Sequence, residues 1–469
     1  MTASTLKTQF QDIRIIILIA FVVRLYGITM PPLEVAHNWR QTTVTMVARN
    51  FVETDFNVLY PRIDFAGNKT GITGMEFPLL NANIALCIKT FGSSHWYGRL
   101  INLIVSSIGL WCFYQLVLHY SNKKHAFYST IILMCSIWFA YSRKIMPDTF
   151  SASLALAALY FLTTLFKRIN IASLVGFVIL TALALLSKLP SCIVLVWAIP
   201  AIYFSRLNPN KKALLFVAFA AACLPAIWWY FIWVPHLVST FGFWHFFMGT
   251  TWQQGIAEIA ANKMLTASRF FDSALKYSGF VIFIWGCCSI ILQKQKVLLT
   301  ALLFSLSATC LLILKSGFTF AHHSYYIIPF VPAMALVAGY GLASLKNKKI
   351  AATLLIIICA EGILNQYHDF KIKPNEAAML SLDRDMNSVT KKDDLIMINS
   401  GDNPTPMYFA HRKGWIAHNY QIADSNYLKS CRTQGLKQLL ILHRTFGTTI
   451  TLPLPIIFTN ENYTIYSID

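Results

Sequence analysis

Charge is scarce in this chain. Asp, Glu, Lys and Arg make up only 13% of its 469 residues, where soluble globular proteins carry about 25%. An ordinary soluble enzyme is therefore excluded. Acidic residues are scarcer still, 20 against 39 Lys and Arg, which leaves a net charge of +19. Cysteine is sparse too: ten residues, none in C-x-x-C spacing, so neither a disulfide scaffold nor a zinc ribbon is written here. Gly 21 and Pro 17 are too few for a collagen-like chain, and 14% aromatic residues is too many for a disordered one. There is no internal repeat, no low-complexity segment, and in the tail no G-x-G-x-x-G and no P-loop, so nucleotide binding has no support. The start of the chain has a basic flank but no A-x-A-like cleavage site, which predicts an uncleaved first helix that also serves as the insertion signal.

What is present is hydrophobic: 56% of residues, with a mean hydropathy of +0.53. Apolar stretches long enough to approach a membrane span of roughly 20 residues lie at Ile15–Thr29, Tyr97–Leu118, Ala126–Tyr141, Phe150–Phe166, Ile171–Ser187 and Ser191–Phe204. Others lie at Ala213–Val234, Tyr277–Leu292, Val297–Leu314, Ile327–Ala343 and Ile350–Leu364. The expectation is a mainly α, polytopic membrane protein of about eleven transmembrane helices, with a small C-terminal α/β domain outside the membrane. Alternate connectors are short and basic: Lys7 and Arg14; Lys123 and Lys124; Lys167 and Arg168; Arg206, Lys211 and Lys212; Lys294 and Lys296; Lys346, Lys348 and Lys349. Cationic loops resist translocation. The N-terminus is thus expected inside a bacterial cytoplasmic membrane, and the C-terminus outside. The positive surplus is a topology signal, and no nucleic-acid partner is expected.

Three regions project outward. Met30–Trp96 is long for a loop, and long loops are functional or disordered. Its apolar content argues for order. Val44, Val47 and Phe51 recur at helical spacing after Pro31 and Pro32, and a second amphipathic stretch, Asn81–Phe91, follows Pro78. Pro235–Lys276 carries His236, His245, Arg269 and many aromatics suited to a membrane interface. Asn365–Asp469 turns abruptly polar. Asn375–Ser388 reads as helix, and Asp394–Asn399 and Gln438–His443 read as buried strands. The expected division is a membrane domain over 1–364, including the first loop at 30–96, and an α/β domain over 365–469.

Ionisable residues cluster at the predicted outer ends of the helices, where function is the default hypothesis. They are Glu34, His37 and Arg40 in PPLEVAHNWRQ, Glu76 in GMEFPLL, Arg143, Lys144 and Asp148 in YSRKIMPDTF, Lys188 in SKLP, and His322 and His323 in AHHSYY. Candidate bases stand among fixed cations. A base can take the proton of an attacking hydroxyl, and Arg and Lys can stabilise charge on a departing phosphate. A carboxylate with a His could also hold a divalent metal. The bland readings are interfacial anchoring and packing, with about even odds for any one residue. Arg24 is as well explained by snorkelling or packing. Cys287 and Cys288 fit a helix core, and Cys431 with Cys87 does not make a disulfide.

Taken in order, these motifs resemble the C-type (GT-C) glycosyltransferases, in particular the bacterial branch related to protein O-mannosyltransferases and to the lipid A aminoarabinose transferase. HNWRQTTVTMVARNF resembles the first-loop helix of that branch. GMEFPLLN, SRKIMPDTFSASLALAALYFL, SKLP and HHSYYIIPFVPAMALVAGYG resemble its later motifs, and SGDNPTPMYFAHRKGW its tail segment. The resemblance implies an inverting glycosyltransferase. Its donor would be a polyprenyl-phosphate sugar, and its acceptor a lipid, glycan or protein hydroxyl outside the cytoplasm, as in lipopolysaccharide or protein glycosylation. Setting Arg40 on the family's loop arginine puts His37 at its acidic position, with Glu34 one turn earlier. The base is thus His37, Glu34 or Asp148, of which Asp148 matches a family position in its own Pro-Asp context. Arg40, Arg143, Lys188 and Arg269 are the implied donor-phosphate cations. His322, His323 and Tyr325 would line the substrate pocket. Glu76 matches a glutamate that can ligate a metal, with His245 as partner, so a divalent cation is an implied cofactor. Phe77 stands where the aminoarabinose transferase has a lysine. The competing readings are a transporter or flippase of a lipid-linked sugar, and an inactive GT-C relative.

Overall fold

A computed structural model describes residues 12–242, 249–446 and 448–468. The chain divides into two compact units. One comprises Met1–Ile28, Arg99–Phe231 and Phe247–Tyr367, and the other Thr29–Gly98, Ile232–Phe246 and His368–Asp469. The first loop thus groups with the tail, where the sequence had placed it with the membrane helices. The physical reason is that the loop has a core of its own to bury, and the tail supplies the other half of it.

The first unit is helical. Each apolar stretch read from the sequence falls on a helix or a run of short ones. Among the described residues, length and composition qualify five as membrane spans: Tyr97–Tyr120, Pro147–Lys167, Pro209–Phe241, Lys296–Ser316 and Ser324–Ser344. The bent pair Lys263–Ala274 and Lys276–Leu292 would make a sixth. The count of about eleven is not reached on this measure. Ile13–Arg24, Lys123–Cys135, Ile171–Ser187 and Lys348–Leu364 are shorter. The stretch after Lys188 is broken at Pro190 into a 3₁₀ turn and two short helices. The basic connectors also start helices: the side chains of Asn122, Asn170, Asn208 and Asn347 each accept a backbone N–H of the following turn, an N-cap worth about 1 kcal/mol. Close helix packing relies on missing side chains. A Cβ on Gly286 would strike the Val337 carbonyl, and one on Gly339 would strike Ser129.

In the second unit, the helix Asn38–Glu53 buries Val44, Val47, Ala48 and Phe51. The helix Leu79–Phe91 meets it, with Asn81 Nδ2 donating to the Val44 carbonyl at 2.8 Å. Arg49 holds this layer to the tail: one nitrogen pairs with Asp64 at 2.6 Å and another donates to the Tyr408 carbonyl at 2.9 Å. The tail is a five-stranded sheet in the order β2-β1-β3-β5-β4. The strands are β1 Leu395–Ile398, β2 Gly414–Ile416, β3 Leu436–Leu442, β4 Ile456–Thr459 and β5 Tyr463–Ser467. β1 runs parallel to both β2 and β3, while β5 is antiparallel to β3 and β4. Continuous apolar runs such as LIMI and LLIL suit strands covered on both faces. Gly414 has no alternative, because a Cβ there would strike the Ile396 carbonyl of β1.

Candidate functional site

In the helical unit, Pro147–Lys167 and Ile171–Ser187 form a tight antiparallel hairpin, which puts the start of one beside the end of the other. Pro147 opens its helix with a preset φ, and Asp148 sits in that first turn, 1% exposed. Lys188 caps the end of the returning helix. A helix N-terminus favours an anion and a C-terminus a cation, so each charge stands where the backbone field supports it. They meet: Lys188 Nζ lies 2.9 Å from Asp148 Oδ1. The other carboxylate oxygen, Oδ2, is buried and has no hydrogen-bond partner among the described residues. Lys188 Nζ also lies 5.0 Å from the centroid of the Tyr325 ring and 5.8 Å from that of Tyr326. His323 leans on Tyr325 at 5.4 Å. Asp148, Lys188, Tyr325 and His323 are thus brought together.

The turn that carries Asp148 is fixed by a residue that the sequence did not single out. Asn102 Nδ2 donates to the carbonyls of Tyr141 at 3.1 Å, Lys144 at 2.8 Å and Met146 at 3.3 Å, and to Thr149 Oγ1 at 3.1 Å. Its Oδ1 accepts from Ser106 and Thr149. A lone carboxamide in the apolar run RLINLIVSSIGLW is the signal that could have found it, because a polar group in a span needs partners. Tyr141 extends the set: its hydroxyl meets Ser324 Oγ at 2.9 Å, and its ring lies 5.1 Å from Lys144 Nζ.

Other predicted residues of this unit are held by backbone. Arg143 donates to the carbonyls of Tyr26 and Gly27, and Arg99, which the sequence did not single out, donates to Ile28. Both neutralise the end of the first helix. Arg269 donates to the Ala321 carbonyl at 2.8 Å and to Ser273 Oγ at 3.0 Å. His322 diverges from His323: it is exposed, stacks on Phe318 at 3.7 Å, and meets that residue's carbonyl through Nδ1.

In the second unit, Arg40 and Glu76 form an ion pair, their side chains 14% and 3% exposed. Glu76 Oε2 is buried without a hydrogen-bond partner among the described residues. Glu34 is buried and forms an isolated bridge with Ile372. His37 starts the helix Asn38–Glu53 in the left-handed region, φ 63°, next to Ala36 at φ 65°. Two successive non-glycine residues there store strain of the kind that collects at functional sites. Beside them, Asn38 Nδ2 donates to Glu376 Oε2 at 3.0 Å. Burial holds the Glu376 carboxyl above its ordinary range, against the pull of Lys373 and of that hydrogen bond.

Among the described residues no group of three or more His, Cys, Asp or Glu could hold an ion. The Arg40 guanidinium already supplies the positive charge beside Glu76, and His245 lies outside the described residues.

Comparison with known proteins bears on the fold. Residues 76–229 match the family described as dolichyl-phosphate-mannose-protein mannosyltransferase. No curated protein matches the chain in sequence. Among solved structures, ArnT from Cupriavidus metallidurans bound to undecaprenyl phosphate superposes with a TM-score of 0.60 at 11% identity, over 99% of this chain and 98% of that one. AglB, the oligosaccharyltransferase of Archaeoglobus fulgidus, in complex with an inhibitory peptide and a dolichol-phosphate, gives 0.56 at 11% identity, over 93% and 70%. AftD, an arabinofuranosyltransferase from mycobacteria, gives 0.57 at 11% identity, over 97% and 41%. The shared feature is the fold, a multi-pass helical membrane architecture.

Proposed function

We propose that this chain, which has the fold of the GT-C membrane glycosyltransferases, moves a sugar from a polyprenyl-phosphate donor to a hydroxyl acceptor outside the cytoplasm, with inversion at the anomeric carbon. The observation that carries the reading is the buried Asp148–Lys188 pair with one carboxylate oxygen left without a donor. A buried acceptor atom without a hydrogen bond is costly, by about 1–3 kcal/mol. An acceptor hydroxyl donating to Asp148 Oδ2 would remove that cost.

The step balances with these groups alone. Asp148 receives the hydroxyl proton as the acceptor oxygen bonds to the anomeric carbon. The bond from that carbon to the phosphate oxygen breaks, and its electron pair leaves with the phosphate. Lys188 offers the developing charge an ammonium whose direction is already set by Asp148 and the Tyr325 ring. A single displacement of this kind needs one base and no covalent intermediate, whereas retention by double displacement would need a positioned nucleophile as well. Asn102 serves as a positioning residue for Asp148. Undecaprenyl phosphate, the molecule bound to the Cupriavidus protein, is of the class that this reaction would release.

The test is transfer by the purified protein in nanodiscs. It would be offered a panel of polyprenyl-phosphate sugars with an envelope extract as acceptor, and the anomeric configuration of the product read by NMR. The expected outcome is acceptor-dependent transfer with inverted configuration from one donor. Retained configuration would overturn the mechanism. Movement of an intact donor across the bilayer without its consumption would replace the transferase with a transporter.

A further inference from the structure

The tail domain has a cleft that the transfer chemistry does not use. Its position follows from the order of the parallel strands. β1 is central: the chain leaves it toward β2 on one side, and β3, on the other side, sends the chain on to the antiparallel edge. The connections after β1 and β3 therefore depart in opposite directions. A crevice opens at the carboxyl ends of the strands, where open α/β sheets bind ligands. It is a wide, open cleft of about 850 Å³, within the ~300–1,000 Å³ of small-molecule sites.

The walls are built rather than incidental. Asn399, directly after β1, donates through Nδ2 to Asn419 Oδ1 and to the carbonyls of Leu442 and Thr448, each at 3.1 Å, and accepts from the Leu442 N–H at 2.6 Å. One side chain thus ties the ends of β1 and β3 to the segment after β2. Gly401 turns the loop after β1 at φ 58°, and a Cβ there would press on the His418 ring at 2.9 Å. Asn419 Nδ2 reaches the Thr448 carbonyl at 3.0 Å.

On this frame, groups of a particular chemistry face the opening. Tyr420 is 73% exposed and stacks on His418 at 5.4 Å and 14°. Trp39 and Phe446 supply further aromatic surface. Asp402, its side chain 93% exposed, stands 3.7 Å from His418. Asp402, Asn403 and Thr448 add carboxylate, carboxamide and hydroxyl groups to the same lining. No Lys or Arg is among the described residues that line the cleft, although the chain as a whole carries a net +19. The lining thus lacks the Arg and Lys groups that hold carboxylate and phosphate ions most strongly. Flat aromatic faces offer an apolar platform to the C–H face of a ring, and neutral or anionic acceptors beside them suit hydroxyl donors.

We propose that this cleft binds an uncharged saccharide. We infer further, resting on the transferase reading, that the saccharide belongs to the acceptor, so that the tail domain selects glycan-bearing acceptors. Trp39 supports the second step: it lies in the cleft and directly precedes Arg40 in the first-loop motif.

The experiment uses the full-length protein in nanodiscs with a panel of neutral probes: lactose, maltotriose, chitotriose and mannobiose. Binding is read by saturation-transfer NMR, with inorganic phosphate and a nucleotide as competitors. Tyr420→Ala and Asp402→Asn alter exposed side chains, so the fold is kept. The expected result is binding of at least one saccharide, weakened tenfold or more by Tyr420→Ala and unaffected by phosphate or nucleotide. No binding from the whole panel, or binding equal in wild type and both variants, overturns the saccharide site. Competition by phosphate or nucleotide would reassign it to an anion. This arm needs no donor, so it stands whether or not the chain transfers sugar. The acceptor role is lost if Tyr420→Ala abolishes saccharide binding yet leaves transfer to the glycan acceptor at the wild-type rate.

Discussion

Replacing Lys188 with methionine separates what the buried ion pair does for folding from what it does for chemistry. At 2.9 Å, and with an effective dielectric of ~20, the gross attraction is about 6 kcal/mol. Desolvation of both charges offsets most of it, so the pair as a whole adds little to net stability. Removing one member is different, because it leaves Asp148 buried and ionised without a countercharge. Such single removals cost about 3–5 kcal/mol. Lys188→Met should therefore unfold at clearly lower SDS mole fraction in mixed micelles. The double variant Asp148→Asn/Lys188→Met replaces the pair by neutral groups of similar size. It should recover at least 1 kcal/mol relative to the sum of the single effects, the coupling expected of groups in contact. Transfer activity should stay absent in the double variant. If the single effects simply add, the two side chains are not paired. If the double variant transfers sugar, neither side chain takes part in the reaction.

Further outcomes follow from particular contacts. Asn102→Ala should lower kcat at unchanged donor KM and cost about 1–3 kcal/mol, because several buried carbonyls lose their donor; restored activity in Asn102→Leu, which fills the space without a donor, would argue for simple packing instead. Glu376→Gln should stabilise the second unit near neutral pH. A carboxyl whose folded pKa is raised by burial contributes stability below its unfolded pKa and loses it as pH rises through the folded one. The gain should thus vanish in acid, and denaturant unfolding at pH 4 and pH 7 checks the sign. Glu76→Gln should destabilise the protein by leaving Arg40 without its countercharge, and Glu76→Gln/Arg40→Met should recover part of that loss. Gly286→Leu should cost about 1–3 kcal/mol or more, since the facing Val337 backbone leaves no space for a side chain.

The helical architecture was legible because hydropathy over a dozen or more residues survives any detail of packing. Charge asymmetry between alternate connectors reinforced it. Helix breaks were less visible: Pro190 and Pro200 were present, but an apolar stretch hides a change from one helix to several. In the tail, β1 and β3 read directly as buried apolar runs. β2 did not, since three residues, one of them Gly414, carry no periodic signal. β4 and β5 form an edge hairpin whose exposed and buried positions need the register to be understood. That the first loop shares a core with the tail was out of reach, because it depends on contacts such as Arg49 with Tyr408, distant in sequence. Of the candidate residues, Asp148, Lys188 and Tyr325 are gathered in the fold. Arg143 and Arg269 each donate to backbone carbonyls. Asn102 carried a readable signal, a carboxamide within the apolar run RLINLIVSSIGLW, but it is not titratable and so stands outside the acid, base and cation set.

The central claim is that Asp148 is the base of a glycosyl transfer. The most direct measurement is release of polyprenyl phosphate from the preferred donor in the presence of acceptor, by wild type and by Asp148→Asn at matched folding, the latter verified by SDS unfolding. The account predicts turnover in the wild type and a loss of at least a hundredfold in the variant, the lower end of what general base catalysis contributes. Wild-type release that Asp148→Asn leaves unchanged would contradict it and move the search for the base to the first-loop residues Glu34 and His37.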